Sequence, residues 1–122
     1  MLVRIFDCET QPETLTDLRG VLSARNGSVA SFWLVDSEGP CLAVMVKNEV
    51  ACVHYFPNRE HPGFYSVGPT EDWENHVSFV ADNHESTPVP VAMVIPWAKA
   101  ETAAEEFFQA KGKPVSLEWR EL

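Results

Sequence analysis

The chain has 122 residues, one domain's worth, of which 45% are apolar, 11% aromatic and 22% charged. That is the composition of a globular domain able to fold without disulfides or a structural metal, and it excludes disorder, collagen and coiled coil. Nine Lys and Arg against eighteen Asp and Glu leave a net charge of -9, which repels a phosphate backbone or an anionic bilayer and argues against nucleic acid or membrane as direct partners.

Cys8, Cys41 and Cys52 are an odd number with no CxxC spacing, as expected of free thiols in a reducing compartment. The N-terminus lacks the charged and then apolar pattern of a signal peptide, and no apolar run approaches the length of a membrane span. The expected location is the cytoplasm.

In chain order, Leu2 to Phe6 reads as a strand. Thr10 and Glu13 then have the spacing of a reciprocal helix cap, and Leu15, Leu18 and Leu22 form an apolar stripe, so a helix is predicted over 11–25, ended by Asn26-Gly27. Three β-rich segments follow, Val29–Val35, Cys41–Lys47 and Val50–Phe56, with connections short enough to require antiparallel neighbours. Neither face of this meander is fully polar, so some of it is expected to be covered on both sides. Phe64–Val67 and Val77–Ala81 read as further short strands, whereas Pro90 confines the apolar run Val89–Ile95 to an edge or a strand end.

Pro96 suits the first turn of a second helix, predicted over 97–110 with Ala100, Ala103, Ala104, Phe107 and Phe108 on one side and Gly112 and Pro114 ending it. Val115, Leu117 and Trp119 alternate with polar residues as a closing strand. The order β-α-β-β-β-β-β-α-β gives an α+β fold, an antiparallel meander with one helix near each end of the chain. No repeat or linker divides residues 1–122, which are read as one domain.

Familiar catalytic signatures do not occur: there is no phosphate-binding glycine loop, GxSxG elbow or HExxH. No cofactor is expected. His54, His61, His76 and His84 lack ligand spacing, and Cys52 with His54, two apart on one strand face, supplies too few ligands for zinc. No metal is expected either. The enzymatic alternative is a small hydrolase using Cys52 with His54 or a carboxylate pair, but a thiol in an apolar strand has its pKa raised and reads more simply as a buried hydrophobe, and carboxylates are abundant in any acidic protein.

Charge distribution is more informative. From Glu60 through Ala98 there is no Lys or Arg, while Glu60, Glu71, Asp72, Glu74, Asp82 and Glu85 carry two-thirds of the net charge. Glu101 and Glu105, four apart on the second helix, are a like-charge pair costing roughly a few tenths of a kcal/mol, with no lysine at the compensating spacing. A solvated acidic face is the plain reading. An electrostatic receptor for a basic partner is the sharper one, and Tyr55, Phe56, Phe64, Tyr65 and Trp73, which flank or interrupt the stretch, supply the aromatic anchors of a protein-binding patch, although Phe56 and Phe64 read equally well as core.

The C-terminal third, Ile95-Pro96 followed by AKAETAAEEFFQAKGKPVSLEW, with Phe107, Phe108, Gly112, Pro114 and the closing Trp119, resembles the immunity proteins of bacterial polymorphic toxin systems, of the type often encoded beside deaminase toxins. Gly63 to Gly68 is similar to that family's middle strand. The resemblance covers residues 63–122, with Lys111 standing where the family has a small polar residue. It implies a noncatalytic protein that neutralises a cognate toxin by stoichiometric occlusion; nothing in the sequence demands more than a monomer when free. Such a toxin, a deaminase or nuclease that acts on nucleic acid, presents a basic surface. The matching residues hold the fold, so the contact residues come from the charge reading: Tyr65, Glu71, Asp72, Trp73, Glu74, Asp82 and Glu85. An acidic adaptor for some other basic protein shares the same surface physics.

Overall fold

Apolar residues of period two and apolar residues of period near 3.6 divide the chain into strands and helices that bury one another. The computed structural model describes residues 1–23, 29–81 and 83–121. Its elements are β1 (Leu2–Ile5), β2 (Cys8–Thr10), α1 (Leu15–Ser23), β3 (Val29–Val35), β4 (Cys41–Lys47), β5 (Val50–Phe56), β6 (Phe64–Ser66), β7 (His76–Val80), β8 (Ser86–Pro90), a single 3-10 turn (Val91–Met93), β9 (Ile95–Pro96), α2 (Trp97–Ala110) and β10 (Trp119–Glu121).

The fold is α+β. Eight strands form one antiparallel sheet in the order β10-β6-β5-β4-β3-β1-β2, with β9 pairing the start of β5. Strands β7 and β8 form a separate hairpin. No helix among the described residues is long and apolar enough to cross a membrane.

Alternation along β3, β4 and β5 sorts the core into two layers. Val3, Phe32, Leu34, Leu42, Val44, Val46, Val53 and Tyr55 face the helices, where Leu18 and Leu22 of α1 and Ala100, Ala103, Ala104 and Phe107 of α2 cover them. Three alanines on one stripe let α2 lie close to the sheet. Arg19 of α1 bonds Glu105 of α2 at 2.7 Å, so the cation that offsets the Glu101–Glu105 pair comes from the other helix. On the opposite face Cys52 meets Phe79 of β7, Val89 of β8 and Met93 in a smaller cluster. Part of the meander is thus covered on both faces, the second by the hairpin around Cys52.

Several boundaries differ from the sequence expectation. The chain turns at Phe6, whose φ is 51°, and returns as β2, so Thr10 ends a strand instead of capping a helix. The cap is formed one turn later: the Asp17 amide donates to Thr14 Oγ1 at 3.1 Å and the Thr14 amide to Asp17 Oδ2 at 3.2 Å. The expected stop at Asn26-Gly27 lies outside the described residues. The run Val89–Ile95 divides into the end of β8, the 3-10 turn and β9, and Pro88 and Pro90 fit β8 because that strand has a partner on one side only.

At the end of α2 the left-handed residue is Lys111, φ 56° and ψ 32°, whose amide donates to the Phe107 carbonyl at 2.7 Å. Gly112 is not in that region. A side chain there would meet only the Ala110 carbonyl, at an ordinary 3.9 Å. The closing strand is shorter than the alternation suggested: Val115 lies in the preceding loop, 89% exposed, and only Trp119–Glu121 pair, against β6.

Candidate functional site

The loop between β6 and β7 gathers four of the seven expected contact residues. Glu71, Asp72, Trp73 and Glu74 follow one another on a backbone that its own side chains fix. Asp72 Oδ1 accepts the Glu74 and Asn75 amides, both at 3.0 Å, and Oδ2 accepts the Asn75 side-chain amide at 2.8 Å. These bonds, the Asn75 side chain's first, together with nearby His76, hold the Asp72 carboxyl below the usual carboxylate range.

The loop is also tied to the hairpin base. The Ala92 amide donates to the Asp72 carbonyl at 2.8 Å, the Val91 amide to the Asn75 carbonyl at 3.0 Å and the Gly68 amide to the Ala92 carbonyl at 2.7 Å. A Cβ on Gly68 would collide with the Val94 carbonyl, so only glycine permits this approach. Beside it, Ser66 Oγ donates to the Met93 carbonyl at 2.8 Å and accepts the Val53 amide at 3.1 Å, locking β6 to β5 and to the 3-10 turn.

On this frame Trp73 stands 44% exposed and Val67 37% exposed. Both border a cleft of about 300 Å³ with Pro69, Glu71 and Arg120, which adjoins a second of about 470 Å³ reaching Lys99 and Glu118. Arg120 lies over the Trp73 ring, 4.7 Å from its centroid. The stretch that lacks Lys and Arg in sequence therefore has a cation in space, supplied by β10.

Tyr65 joins this surface through the same strand, since it is the cross-strand partner of Arg120. Glu85 does not. It sits in the turn at the far end of the hairpin, with the five residues of β7, about 17 Å of strand, between it and the acidic loop. That end is pinned to the β1–β2 turn, where His84 bonds Asp7 at 3.2 Å and stacks on Phe6 at 4.9 Å. Asp82 lies outside the described residues.

The sheet face left open beside β7 carries a second feature. Cross-strand register places Trp33, Ala43, His54 and Tyr65 in one row, and with Phe56, Met45, Cys52, Ser31 and Ala81 they line a groove of about 130 Å³. Trp33 stacks on Phe56 at 5.7 Å, and His54 lies 3.8 Å from Phe56 and 3.9 Å from Tyr65, centroid to centroid. His54 Nε2 is 2.9 Å from the Pro62 carbonyl, and burial lowers the imidazole's pKa.

Cys52 and His54 do share this face, but Cys52 is 2% exposed and burial pushes its thiol up to about 12. Burial of this kind disfavours the thiolate that a Cys52–His54 nucleophile would need. Among the described residues no three His, Cys, Asp or Glu side chains converge to hold a metal.

Sequence reasoning missed Val67, Arg120 and the ring row. The first carries no signal beyond its strand, and the others follow from register between distant segments. No known family model matches the chain, and no curated protein is similar to it.

Proposed function

We propose that this protein is a binding inhibitor of the immunity type, which neutralises a basic, nucleic-acid-targeting toxin by stoichiometric occlusion. The observation that carries the reading is the exposed indole of Trp73, held on a hydrogen-bonded loop among three carboxylates. An indole in that setting is the anchor and rim of a protein-binding hot spot. Because the loop is already fixed, ordering it costs little on association. The surrounding field, with a net charge of -9, favours capture of a cation-rich surface of the kind such a toxin presents to its substrate.

The test is capture by the tagged protein from its own host at low and moderate salt, followed by addition of the retained partner to a nucleic-acid modification assay. The expected result is one basic domain in equimolar amount whose activity is abolished at a one-to-one ratio. Reversal of Glu71 and Glu74 to lysine, which spares the Asp72 bonds that fix the loop, should slow association at low salt and flatten its salt dependence. Many unrelated basic proteins that wash off with salt, or a partner that stays active when saturated, would remove the immunity reading.

A further inference from the structure

We infer that the outer edge of β10 is a docking site for an extended, carboxylate-bearing segment of a protein partner, added to the sheet as one more strand. Among the described residues β10 ends the eight-stranded sheet and pairs with β6 alone. The Val67 amide donates to the Glu118 carbonyl at 3.0 Å, and the same register sets Arg120 opposite Tyr65. Main-chain bonding in an antiparallel pair alternates residue by residue, so Glu118 and Arg120 bond towards β6 while Trp119 and Glu121 turn their N–H and C=O groups outward. Such a row is a template for another chain.

Side chains of an added strand point alternately to the two faces of the sheet, and each face carries a cleft. The cleft of about 470 Å³ is lined by Lys99 of α2 and by Leu117, which packs on the helix side. The cleft of about 300 Å³ is lined by Trp73 and Arg120, and Arg120 shares the face of its partner Tyr65, on the hairpin side. Val67, Gly68 and Pro69 border both. Exposed apolar side chains gather here as well: Val67 and Trp73 line the clefts, and Val115 precedes the wall formed by residues 116–118. Scattered singly such residues are ordinary, but a set around one sheet edge marks a protein contact.

Charge selects the occupant. The chain has eighteen acidic side chains and nine basic ones. Among the described residues, however, neither Lys99 nor Arg120 forms an ion pair, although Glu118 and Glu71 border the same clefts. Each face of the edge thus offers one uncompensated cation. Neighbouring residues of a strand face opposite ways, so two consecutive carboxylates on the added segment reach both, and the guanidinium fork of Arg120 suits one of them well. The overall field of the chain works against a free acidic peptide, so in a complex the segment is delivered by a protein whose basic surface meets the Trp73 loop. The inference rests on the proposed function only for the identity of that partner.

The test needs no toxin. Acetyl-Thr-Val-Glu-Glu-Val-Thr-amide, its Lys-Lys counterpart, and the Glu-Glu peptide N-methylated at its central residues are titrated into the folded chain at fixed ionic strength, with the amide and indole N–H signals followed by NMR. The Glu-Glu peptide should shift the Trp119 and Glu121 amides and the Trp73 indole with millimolar saturation. The other two should bind about fivefold more weakly or worse. Lys99→Gln and Arg120→Gln, both at exposed positions, should each weaken the Glu-Glu peptide by about one-and-a-half- to fivefold. Equal binding of the Lys-Lys peptide would overturn the carboxylate preference, and equal binding of the N-methylated one would overturn the added strand. Shifts confined to other parts of the chain, no shifts, or a response unchanged in both variants would abolish the site. Failure here leaves toxin neutralisation standing, whereas an intact peptide response with no neutralised partner would remove the immunity reading alone.

Discussion

Truncation of Phe79 to alanine tests whether the hairpin is a separable layer laid on the sheet. Phe79 is fully buried, and the cluster it shares with Cys52, Val89 and Met93 has four buried members, against nineteen on the helix face. Removing a buried phenyl ring costs about 3–5 kcal/mol, the transfer loss plus the cavity left behind. A domain of this size has only about 5–15 kcal/mol in total. If the loss were shared by the whole fold, every amide would lose protection alike. The small cluster instead confines it: the hairpin would keep its base bonds, those of Gly68 and Asp72 with Ala92, of Asn75 with Val91 and of Ser66 with Met93, and the contacts of His84 with Asp7 and Phe6 at its tip. Native-state hydrogen exchange should therefore show amides of β7 and β8 opening with a free energy lowered by about 3–5 kcal/mol, while those of β4 and β5 keep most of their protection. Uniform loss, or no loss in β7, would refute the layered account.

Two further outcomes follow from the buried and charged groups. With iodoacetamide at pH 8, exposed Cys8 should react first, half-buried Cys41 more slowly because burial raises its thiol despite nearby Arg59, and Cys52 only after denaturation, its thiol standing at about 12; mass spectrometry of timed samples checks this, and native labelling of Cys52 at the rate of Cys8 would contradict it. For Asp72 the folded pKa is depressed, so its contribution is present above the unfolded value and lost as pH falls through the lower, folded one. Carbon-detected NMR titration should find its midpoint below those of exposed aspartates, and Asn75→Ala should move it back towards them, whereas an unmoved midpoint would mean that the Asn75 side chain is not the main cause.

The parts of the fold legible in the sequence are those whose signals are local. Strands β3, β4 and β5 fall where alternation and the Gly39-Pro40 and Asn48-Glu49 turns put them, and α2 begins and ends as Pro96 and its apolar stripe require. β2 went unseen because Cys8, Glu9 and Thr10 are all exposed and leave no buried face to read. β8 went unseen because two prolines in five residues read as a breaker, although a strand paired on one side tolerates them. The helix start was displaced because Thr10-x-x-Glu13 and Thr14-x-x-Asp17 have the same spacing, and only tertiary context chooses between them.

The same division runs through the candidate site. Glu71 to Glu74 could be grouped from sequence because they are neighbours in one loop. Glu85 was grouped with them by proximity in sequence, yet the hairpin carries it to the opposite end. Arg120 and the row from Trp33 to Tyr65 are products of strand register, which period-two patterning leaves undetermined until the partners are known.

Register also explains how two kinds of contact can share one surface. The carboxylates of the β6–β7 loop are exposed, so on the proposed function their effect lies mainly in the rate of encounter and fades with salt. The aromatic groups, exposed Trp73 and half-buried His54, are fixed by neighbours, Trp73 by its loop and His54 by Pro62 and Gly63, so on the same reading their effect would lie in the rate of release. Arg120 is placed between the two sets, stacked on Trp73 and paired in register with Tyr65. A basic partner must therefore meet one fixed cation within an otherwise acidic and aromatic surface. Partners that offer a carboxylate or carbonyl at that point gain a bond, and those that offer only positive charge are repelled there. On the proposed function this cation, invisible in the sequence of the acidic stretch, would favour partners that present an acceptor among their basic groups.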